Sequence, residues 1–337
     1  MLRTPDRRYG RLLGVGTYRP RRTVGNGELP APVDTTGRAA CQWDEKWIES
    51  RSGIRSRRFA AADETLPAMA VTAGGKALAH AGITPDQVSC VLVASMSYLV
   101  QTPPLSIEVA HELGAVNAAG FDVSGACAGF CHALGVAGDM VSTGNAEYVL
   151  VIGVERMTDI VDPADRSIAF LFADGAGAVV VGPADRPGIG PVVRGADGEH
   201  LEALHMNTGW AAFRDDPGLP RPMMKMNGRR VFTWAVDHVL PAARLALDQA
   251  GLDPGDLAAF IPHQANARMT EVMAKRLGLP DHVAVADDVA TSGNTSAASI
   301  PLAMERVLDG SAAGGGPALL VGFGAGLNYA ALVVLMP

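Results

Sequence analysis

The sequence predicts an α/β protein built from two similar halves. Helical stretches alternate with continuous apolar strands, a pattern that favours mixed or parallel sheets covered by helices on both faces. In addition, the segment SGACAGF at residues 124–130 is nearly paralleled by SGNTSAA at residues 292–298, 168 positions later. Each segment is a small-residue turn that opens a predicted helix, and each helix leads to an apolar, glycine-ended strand.

A second pair of segments repeats with almost the same offset. Residues 81–88 read AGITPDQV and residues 250–257 read AGLDPGDL, 169 positions apart. In both, a helix ends at glycine, a proline-containing turn follows, and a short buried strand comes next. A nearly constant offset across several elements indicates duplication, and the period is far too long for a solenoid.

The join between the halves is predicted near residue 184. Pro183 and Pro187 stand among glycines in residues 182–190, a composition typical of a connection. We therefore expect an N-terminal half over residues 1–184, which carries Cys127, and a C-terminal half over residues 185–337, which carries His263 and Asn294.

The individual elements follow from periodicity and turn signals. In the first half we predict strands at 11–18, 88–95, 119–124, 148–154 and 175–181, with helices at 44–52, 65–81, 106–113 and 128–141. In the second half we predict helices at 229–250, 267–277 and 297–308, with strands at 258–262, 319–322 and 329–335. The helix at 128–141 is apolar on most sides and is expected to be central. Residues 24–43 read as a surface stretch, ordered only in part.

Composition limits the class of protein. With 337 residues, 48% apolar and 19% charged, the chain is globular and long enough for a large core. A net charge of −7 argues against a general nucleic-acid binder. Residues 1–10 lack the apolar region of a secretory signal, and no apolar run reaches ~18 residues, so we expect neither secretion nor a membrane span.

The cytosol is the expected compartment, and structural disulfides are rare there. The four cysteines are Cys41, Cys90, Cys127 and Cys131. Cys90 and Cys131 are interpreted as small buried hydrophobic residues rather than as parts of a redox pair.

Three residues stand at turns where functional chemistry is expected. Cys127 lies at the amino end of a predicted buried helix, where the helix dipole favours the thiolate, so we expect a lowered pKa and a nucleophile. His263 closes a short buried strand, where functional groups collect in covered sheets. Asn294 lies at the other helix start, where an N-cap is the simpler interpretation. The functional interpretation rests on all three occupying equivalent ends of a duplicated frame.

Several motifs carry a resemblance to a known family. They are DEKWI at 44–48, RSGIR at 51–55, CAGF at 127–130, FADGAGA at 172–178, PHQAN at 262–266, GNTSAAS at 293–299 and GFGAG at 322–326. In this order and spacing the chain resembles the thiolase-fold condensing enzymes, specifically β-ketoacyl-acyl carrier protein synthase III. Within that family it is most similar to the priming ketosynthases of aromatic type II polyketide pathways, through residues 17–22, 102–106 and 127–134. The resemblance implies a thiolase fold with a five-layer αβαβα arrangement.

The resemblance also implies a reaction. Cys127 would take an acyl group from acyl-CoA as a thioester and then meet malonyl-acyl carrier protein in a decarboxylative Claisen condensation. His263 and Asn294 would hydrogen-bond the malonyl thioester oxygen, and the backbone N–H groups of Cys127 and Ala325 would form the oxyanion hole. No cofactor or metal is expected beyond these substrates. A cytoplasmic homodimer that binds neither nucleic acid nor membrane is expected.

The resemblance also implies which residues bind the two large substrates, CoA and the carrier protein. Trp47 and Arg166 would hold the CoA adenine between them, and Arg51 would meet its phosphates. The expected lining of the pantetheine tunnel is Gly228, Phe232 and Asn266. The expected patch for an acidic carrier protein is Arg268, Arg229, Arg230 and Lys275. Surface cations and core rings are the simpler interpretations of these side chains.

Three alternatives remain open from the sequence. One is housekeeping initiation of fatty acids, and another is a ketosynthase-like acyltransferase that works without condensation. The third is a non-catalytic interaction protein on the same scaffold. The retained His263 and Asn294 argue against simple transfer, and the intact Cys127 argues against a mere binding protein.

The chain also departs from the family pattern. Ala325 stands where glycine is common, although its backbone donor survives, and residues 28–43 are longer than usual near the CoA entrance. Residues 99–102 lack the bulky aromatic that commonly closes the acyl pocket, which predicts starters larger than acetyl.

Overall fold

The structure, a computed structural model, describes residues 8–29, 44–310 and 313–337. Most of the surface stretch predicted at 24–43 lies outside these residues, as does Cys41 and most of the proposed CoA-entrance insertion at 28–43. The described part of that stretch contains the end of strand β2 and a short 3₁₀ turn at Asn26–Glu28.

The strands and helices are bounded as follows. The strands are β1 Tyr9–Tyr18, β2 Arg22–Gly25, β3 Ser56–Phe59, β4 Val88–Ala94, β5 Ala119–Val123, β6 Tyr148–Arg156, β7 Asp174–Ala184, β8 Val193–Ala196, β9 Leu204–Met206, β10 Met224–Met226, β11 Ala259–Pro262, β12 Ala284–Val285, β13 Pro317–Gly324 and β14 Asn328–Leu335. The helices are α1 Glu45–Ser52, α2 Leu66–Ala81, α3 Leu105–Leu113, α4 Gly129–Ser142, α5 Trp210–Asp215, α6 Gly228–Trp234, α7 Leu240–Ala250, α8 Ala267–Leu277, α9 Val289–Ser292 and α10 Ser299–Gly310.

Two five-stranded sheets have the same topology. The first has the order β1-β7-β6-β4-β5, and the second, read from the equivalent edge, has the order β8-β14-β13-β11-β12. In the first sheet β4 pairs in parallel with β5 and β6, while β7 pairs antiparallel with β6 and β1. The second sheet repeats this pattern, with β11 parallel to β12 and β13 and β14 antiparallel to β13 and β8. The predicted duplication is confirmed.

The layers also match the prediction. Helix α4 packs against β6 and β7 of the first sheet and against β13 and β14 of the second, and α10 packs against β7 and β11. Helices α2 and α3 cover the other face of the first sheet, while α7 covers the second and contacts α8. The order is therefore αβαβα, with α4 and α10 as the central layer. Phe130, Leu134 and Val141 on α4 are fully buried, as its apolar sequence predicts.

The division of strands between the sheets supports the predicted halves. The first sheet takes its strands from residues 9–184 and the second from residues 193–335. A boundary near residue 184 stays a prediction, since the two sheets share their central helices. Within the described ranges, none of the helices is both long and apolar enough to cross a bilayer.

Matching helix ends explain why the two halves read alike in sequence. Helix α2 ends at Gly82 with φ 69°, and α7 ends at Gly251 with φ 69°. This left-handed conformation suits glycine and lets the chain leave the helix for the next strand. The predicted helix at 229–250 is interrupted by a π-helical segment at 235–239 between α6 and α7. Pro241 has no N–H to donate to the preceding turn, which is a physical reason for the irregular hydrogen bonding.

The two small-residue turns align differently from the sequence repeat. The turn that carries Cys127 is Ala126–Ala128, here called the cysteine turn, and its equivalent is Ser296–Ala298, here called the serine turn. Each begins with a non-glycine residue at positive φ, 45° at Ala126 and 48° at Ser296. The structural offset is thus 170 rather than 168, and Cys127 corresponds to Ala297. Similar small residues misled the sequence alignment, whereas backbone geometry identifies the equivalent positions.

We predict that Gly153→Ala will strongly destabilise the protein. Gly153 lies on β6, and a Cβ there would come within 2.3 Å of the Ala297 carbonyl oxygen and 2.7 Å of its carbon, both in the serine turn. Because backbone atoms cannot move aside as a flexible side chain can, we expect a cost of about 3 kcal/mol. The free energy of unfolding from denaturant titration measures it.

The matched control is Gly75→Ala on α2. A Cβ at Gly75 has Leu113 Cδ2 as its nearest neighbour, at 3.8 Å. The same chemical change there should stabilise the helix by about 0.5–1 kcal/mol. Equal unfolding free energies for Gly153→Ala and the wild type would contradict the close backbone contact between β6 and the serine turn.

Candidate active site

Cys127 is held against the end of β13. It lies in the cysteine turn between β5 and α4 and is only 4% exposed. A Cβ at Gly324 would come within 2.9 Å of Cys127 Cβ and 3.1 Å of its Sγ, so a side chain at 324 would collide with the cysteine. The end of the second sheet therefore closes over the sulfur from the first half.

Burial dominates the protonation of this thiol. Desolvation raises the pKa of Cys127 to about 12, the Ser296 hydroxyl opposes the rise, and the Glu155 charge adds to it. The expected low pKa at a helix start is therefore wrong for this state. The dipole of the short turn does not compensate for the loss of water around a fully enclosed sulfur. At neutral pH the resting group is a thiol.

His263 follows β11 and is oriented by Ser299. Its Nδ1 lies 2.7 Å from Ser299 Oγ, and the Gln264 backbone N–H donates to the same oxygen at 3.3 Å. Ser299 Oγ already accepts from the Gln264 N–H, and we assign its own O–H as the donor to Nδ1. That bond assigns the ring proton to Nε2.

The His263 ring is also kept neutral. Burial lowers the pKa of His263 to about 3, and the ring packs edge-on to Phe323 with centroids 5.2 Å apart. A neutral imidazole with its proton on Nε2 is a hydrogen-bond donor that does not titrate near physiological pH.

Asn294 is oriented by the serine turn. Its backbone bridges to the strand segment at Phe172, and its Oδ1 accepts from the Ser296 backbone N–H at 2.9 Å. The carboxamide oxygen is therefore engaged, and the Nδ2 amino group has no partner in the described part of the chain. The Asn294 side-chain oxygen therefore acts much as an N-cap does, while Nδ2 remains available as a hydrogen-bond donor.

Shared neighbours bring the three residues to one point of the molecule. Phe323 and Gly324, consecutive on β13, touch His263 and Cys127 respectively. The cysteine turn and the serine turn are in contact, and the Ser296 backbone N–H of the serine turn donates to Asn294 Oδ1. The sulfur of the first half is thus connected through these neighbours to the histidine and the asparagine of the second.

A cavity of about 890 Å³ opens beside this point. Ala126 borders it on one side and Ala325 and Gly326 on the other. The remaining lining residues are Ser95, Met96, Tyr98, Leu99, Gln101, Ser124, Gly125, Ile160, Met206, Trp210 and Asn328. Asn328 Nδ2 donates to the Ala325 carbonyl at 2.5 Å, and His132 Nε2 lies 3.0 Å from Asn328 Oδ1. These bonds hold the turn that carries the Ala325 N–H.

The residues expected to bind CoA adenine and phosphate begin at α1. Trp47 is half-buried and packs edge-on to Phe170, with centroids 5.3 Å apart. The Arg51 guanidinium lies over the Trp47 ring, 4.8 Å from its centroid, so one face of the indole has an internal partner. Arg166 is exposed in the loop that leads to Phe170.

The expected tunnel residues lie at the start of α8 and on α6. Asn266 is the N-cap of α8, where its Oδ1 accepts from the Met269 N–H at 2.9 Å. Gly228 is exposed at the start of α6, and Phe232 is half-buried one turn later. Phe232 and Trp47 pack against the same core, which also includes Phe170 and Met269.

The basic residues expected to meet a carrier protein are not equivalent. Arg268 pairs with Glu271 at 2.7 Å and donates to the Glu49 and Ser50 carbonyls at 3.3 and 3.1 Å, so it joins α8 to α1. Arg229 and Arg230 are exposed in the first turn of α6, and Lys275 is exposed on α8.

Sequence reasoning missed two residues next to the sulfur, Glu155 and Ser296. Glu155 is the penultimate residue of β6, is fully buried, and accepts a hydrogen bond from Ser296 Oγ at 3.0 Å. An acidic residue directly after the apolar run at 148–154 was the available signal. Within the described ranges, His, Cys, Asp and Glu form no cluster of three suited to a metal ion.

Comparison with known proteins places the chain in a family. Residues 121–198 match the family described as 3-oxoacyl-[acyl-carrier-protein (ACP)] synthase III, and residues 247–336 match its C-terminal counterpart. β-Ketoacyl-[acyl-carrier-protein] synthase III of Streptomyces lividans is 56% identical over 100% of this chain and 97% of its own length. A Streptomyces coelicolor synthase III is 50% identical over 98% of this chain and 97% of its own length.

Solved structures of similar proteins indicate the same family. The priming β-ketosynthase of the R1128 polyketide biosynthetic pathway superimposes with a TM-score of 0.95 and 55% identity over 100% of this chain and 98% of its own. The synthase III of Aquifex aeolicus gives a TM-score of 0.86 and 33% identity over 97% of this chain and 99% of its own. With such similarity along nearly its whole length, this chain belongs to the β-ketoacyl-[acyl-carrier-protein] synthase III family of thiolase-fold acyltransferases.

Proposed function

We propose that this protein primes a polyketide or fatty acid chain by decarboxylative Claisen condensation of an acyl-CoA starter with malonyl-acyl carrier protein. The observation that carries the proposal is one buried thiol beside two oriented neutral donors, His263 Nε2 and Asn294 Nδ2. The priming ketosynthase named above, 55% identical, supports the choice of polyketide priming over housekeeping fatty acid initiation.

The first step is acyl transfer to Cys127. Its sulfur attacks the thioester carbonyl of acyl-CoA, the CoA sulfur departs and takes up the hydrogen of the thiol, and an acyl-Cys127 thioester remains. The oxyanion formed on the way is stabilised by the backbone N–H groups of Cys127 and Ala325, which belong to turns on opposite sides of the cavity mouth.

The second step uses the two donors. Cleavage of the malonyl carboxylate as carbon dioxide leaves its electron pair on the thioester as an enolate, and negative charge develops on the oxygen. His263 and Asn294 hydrogen-bond that oxygen in a site from which water is largely excluded. The enolate carbon then attacks the acyl thioester, and the Cys127 sulfur departs. No cofactor or metal takes part in this scheme.

The CoA-binding roles of the outer residues remain proposals. Trp47 and Arg166 flank the adenine, and Arg51 binds the phosphates from its position over the Trp47 ring. The pantetheine path is lined by Gly228, Phe232 and Asn266. Trp47 on α1 and Phe232 on α6 pack against one core, which also contains Met269 from α8, and this supports a shared path.

Carrier-protein binding is supported best by Arg229 and Arg230. Cations in the first turn of a helix oppose its dipole, so their exposure there favours a role in binding over a role in local stability. Lys275 extends the patch along α8, whereas Arg268 already has partners on α1 and α8. An acidic carrier protein fits such a patch.

A homodimer is supported by the exposed edge of the first sheet. Strand β5 is that edge, and Phe121 on it is 42% exposed beside the exposed Val116 and Ile107. An apolar strand edge favours pairing with a second copy. Cys90, Cys127 and Cys131 are free thiols, which supports the cytosol as its compartment.

The cavity supports a starter larger than acetyl. Its volume of about 890 Å³ far exceeds that of a two-carbon group, and the segment 99–102 contributes Leu99 and Gln101, neither of them aromatic, to its lining beside Tyr98 and Trp210. Condensation rather than bare acyl transfer is supported by Asn294, since a carboxylate there would repel an enolate.

We predict covalent acylation of Cys127. Intact-protein mass spectrometry after mixing with acetyl-CoA or a medium-chain acyl-CoA should show the mass of one acyl group on the wild type. Cys127→Ala should show none. In competition the medium-chain group should predominate, because the cavity can hold it.

Acylation of Cys127→Ala to the wild-type extent would refute the assignment of Cys127 as the nucleophile. A strong preference for acetyl would refute the starter proposal alone and leave the nucleophile intact.

We predict that Asn294→Asp and His263→Ala separate the two steps. Each variant should still accept the acyl group within about threefold of the wild-type rate, because the oxyanion hole for that step is backbone. Condensation with malonyl-acyl carrier protein should fall by about 10²-fold or more, since a donor to the enolate is lost.

Single-turnover acylation by mass spectrometry and product formation from malonyl-acyl carrier protein measure the two steps. A loss of acylation equal to the loss of condensation would argue that these residues serve the first step instead.

A further inference from the structure

The orientation of the Asn294 side chain depends on the backbone of Ser296. The Ser296 N–H donates to Asn294 Oδ1 at 2.9 Å, and this bond leaves Nδ2 as the available donor. Ser296 has φ 48°, a left-handed conformation that residues other than glycine rarely adopt. Such a conformation persists only where its surroundings fix it, so the contacts of Ser296 bear directly on Asn294.

The Ser296 side chain is held by Glu155 of the first half. Ser296 Oγ donates to Glu155 Oε1 at 3.0 Å. The carboxyl group is fully buried, and it also accepts from Ser97 Oγ at 2.5 Å and from the Ser97 and Met96 backbone N–H groups at 3.0 and 3.1 Å. Because these donors come from the loop after β4, Glu155 cannot move without breaking several hydrogen bonds. It is therefore a rigid anchor for the serine turn.

This contact does not depend on the charge of Glu155. Burial raises the pKa of the group, and the surrounding donors oppose the rise. A carboxylate accepts at both oxygens, and a protonated carboxyl group still accepts at its carbonyl oxygen. The Ser296 hydroxyl can thus donate to Glu155 in either form.

The equivalent turn of the first half forms without this hydrogen bond. Ala126 occupies in the cysteine turn the place that Ser296 occupies in the serine turn, and its φ is 45°. Alanine has no hydroxyl, so a serine is not needed for this backbone conformation. The shape of the turn alone therefore does not explain Ser296.

The partner of Ser296 is likewise confined to one half. Gly153 contacts the serine turn and Gly324 contacts the cysteine turn, so these glycines are equivalent, and they lie 171 positions apart. The same offset takes Glu155 to Gly326, which borders the cavity. A buried carboxyl group is costly to keep. Its presence at one of two equivalent places, at the turn that orients Asn294, indicates a role there rather than in the shared frame.

We propose that Glu155, acting through Ser296, is a positioning residue for the condensation step. It fixes the serine turn so that the Ser296 N–H stays on Asn294 Oδ1 and Nδ2 is presented to the malonyl thioester oxygen. No bond to Glu155 or Ser296 is made or broken in the reaction. The role rests on the proposed function, since it assumes that Asn294 donates to the enolate.

The first test removes the hydroxyl with Ser296→Ala. Ala126 shows that alanine is compatible with this turn, so the protein should fold. Acylation of Cys127 by acyl-CoA should stay within about threefold of the wild-type rate, because its oxyanion hole consists of backbone N–H groups. Condensation with malonyl-acyl carrier protein should fall about tenfold, the effect of losing one buried hydrogen bond.

The second test changes the acceptor with Glu155→Gln. One oxygen remains, and the Met96 and Ser97 N–H groups, which cannot reorient, take it. An amide NH2 group then faces Ser296, whose hydroxyl loses its acceptor. Condensation should fall about as far as in Ser296→Ala, and the double variant should be no more than about twofold worse than either single variant. Wild-type condensation in Glu155→Gln would overturn the role of Glu155.

A double-mutant cycle with Asn294→Ala separates positioning from general stability. In that background the group to be positioned is gone, so Ser296→Ala should change condensation by less than about twofold. A purely structural role predicts the same loss in both backgrounds, or a loss of acylation equal to that of condensation. Either result overturns the proposal.

The matched control is Thr295→Val. Thr295 precedes Ser296, is buried, and its hydroxyl has no hydrogen-bond partner in the described part of the chain. Replacing it with valine changes the same turn at nearly equal volume, so the ratio of the condensation rate to the acylation rate should stay at the wild-type value. A tenfold fall in this ratio for Thr295→Val would show that any change in the turn has the same effect, and the proposal would be lost.

A crystal structure of Ser296→Ala gives a readout that does not need catalysis. The Asn294 carboxamide should be displaced or present in two orientations, with Oδ1 more than about 3.5 Å from the backbone nitrogen of residue 296. An unmoved carboxamide overturns the proposal. If the carboxamide moves as expected but the wild-type enzyme does not condense an acyl group with malonyl-acyl carrier protein, the proposed function fails and the positioning of Asn294 stands.

Discussion

The site depends on close backbone contact between turns that belong to different halves. Gly324 at the end of β13 lies against Cys127, and Gly153 on β6 lies against the serine turn. Neither position has room for a Cβ, so only glycine fits at these two contacts between the halves. Because the halves approach this closely, Cys127 from one lies in the same buried region as His263 and Asn294 from the other, and the surrounding water is excluded.

That exclusion of water determines the protonation of every group at the centre. Burial holds Cys127 as a thiol, keeps His263 neutral, and favours the protonated form of Glu155. Neutral donors suit an enolate, since they retain their hydrogens throughout the pH range of the reaction.

Local patterns in the sequence were sufficient for the frame, and they also singled out the three residues proposed to be catalytic. Glycine helix ends, apolar strands and small-residue turns predicted the duplicated sheets, and Cys127, His263 and Asn294 each stand at a turn that follows a recognisable element. Relations between distant segments were not predictable in this way. The place of Glu155 in the site is determined by contacts with residues 95–97 and with Ser296, which is 141 positions away. The Cys127 pKa was mispredicted because a helix start is visible in sequence, whereas complete enclosure by β13 is not.

The most direct measurement of this account is a crystal structure of the acyl enzyme. It should show the acyl group on Cys127 Sγ, its carbonyl oxygen within about 2.7–3.2 Å of the Cys127 and Ala325 N–H groups. His263 Nε2 and Asn294 Nδ2 should face the open space beside that thioester, where a malonyl oxygen can reach both. An acyl group on a different residue, or donors that face a separate cavity from the thioester, would contradict the account.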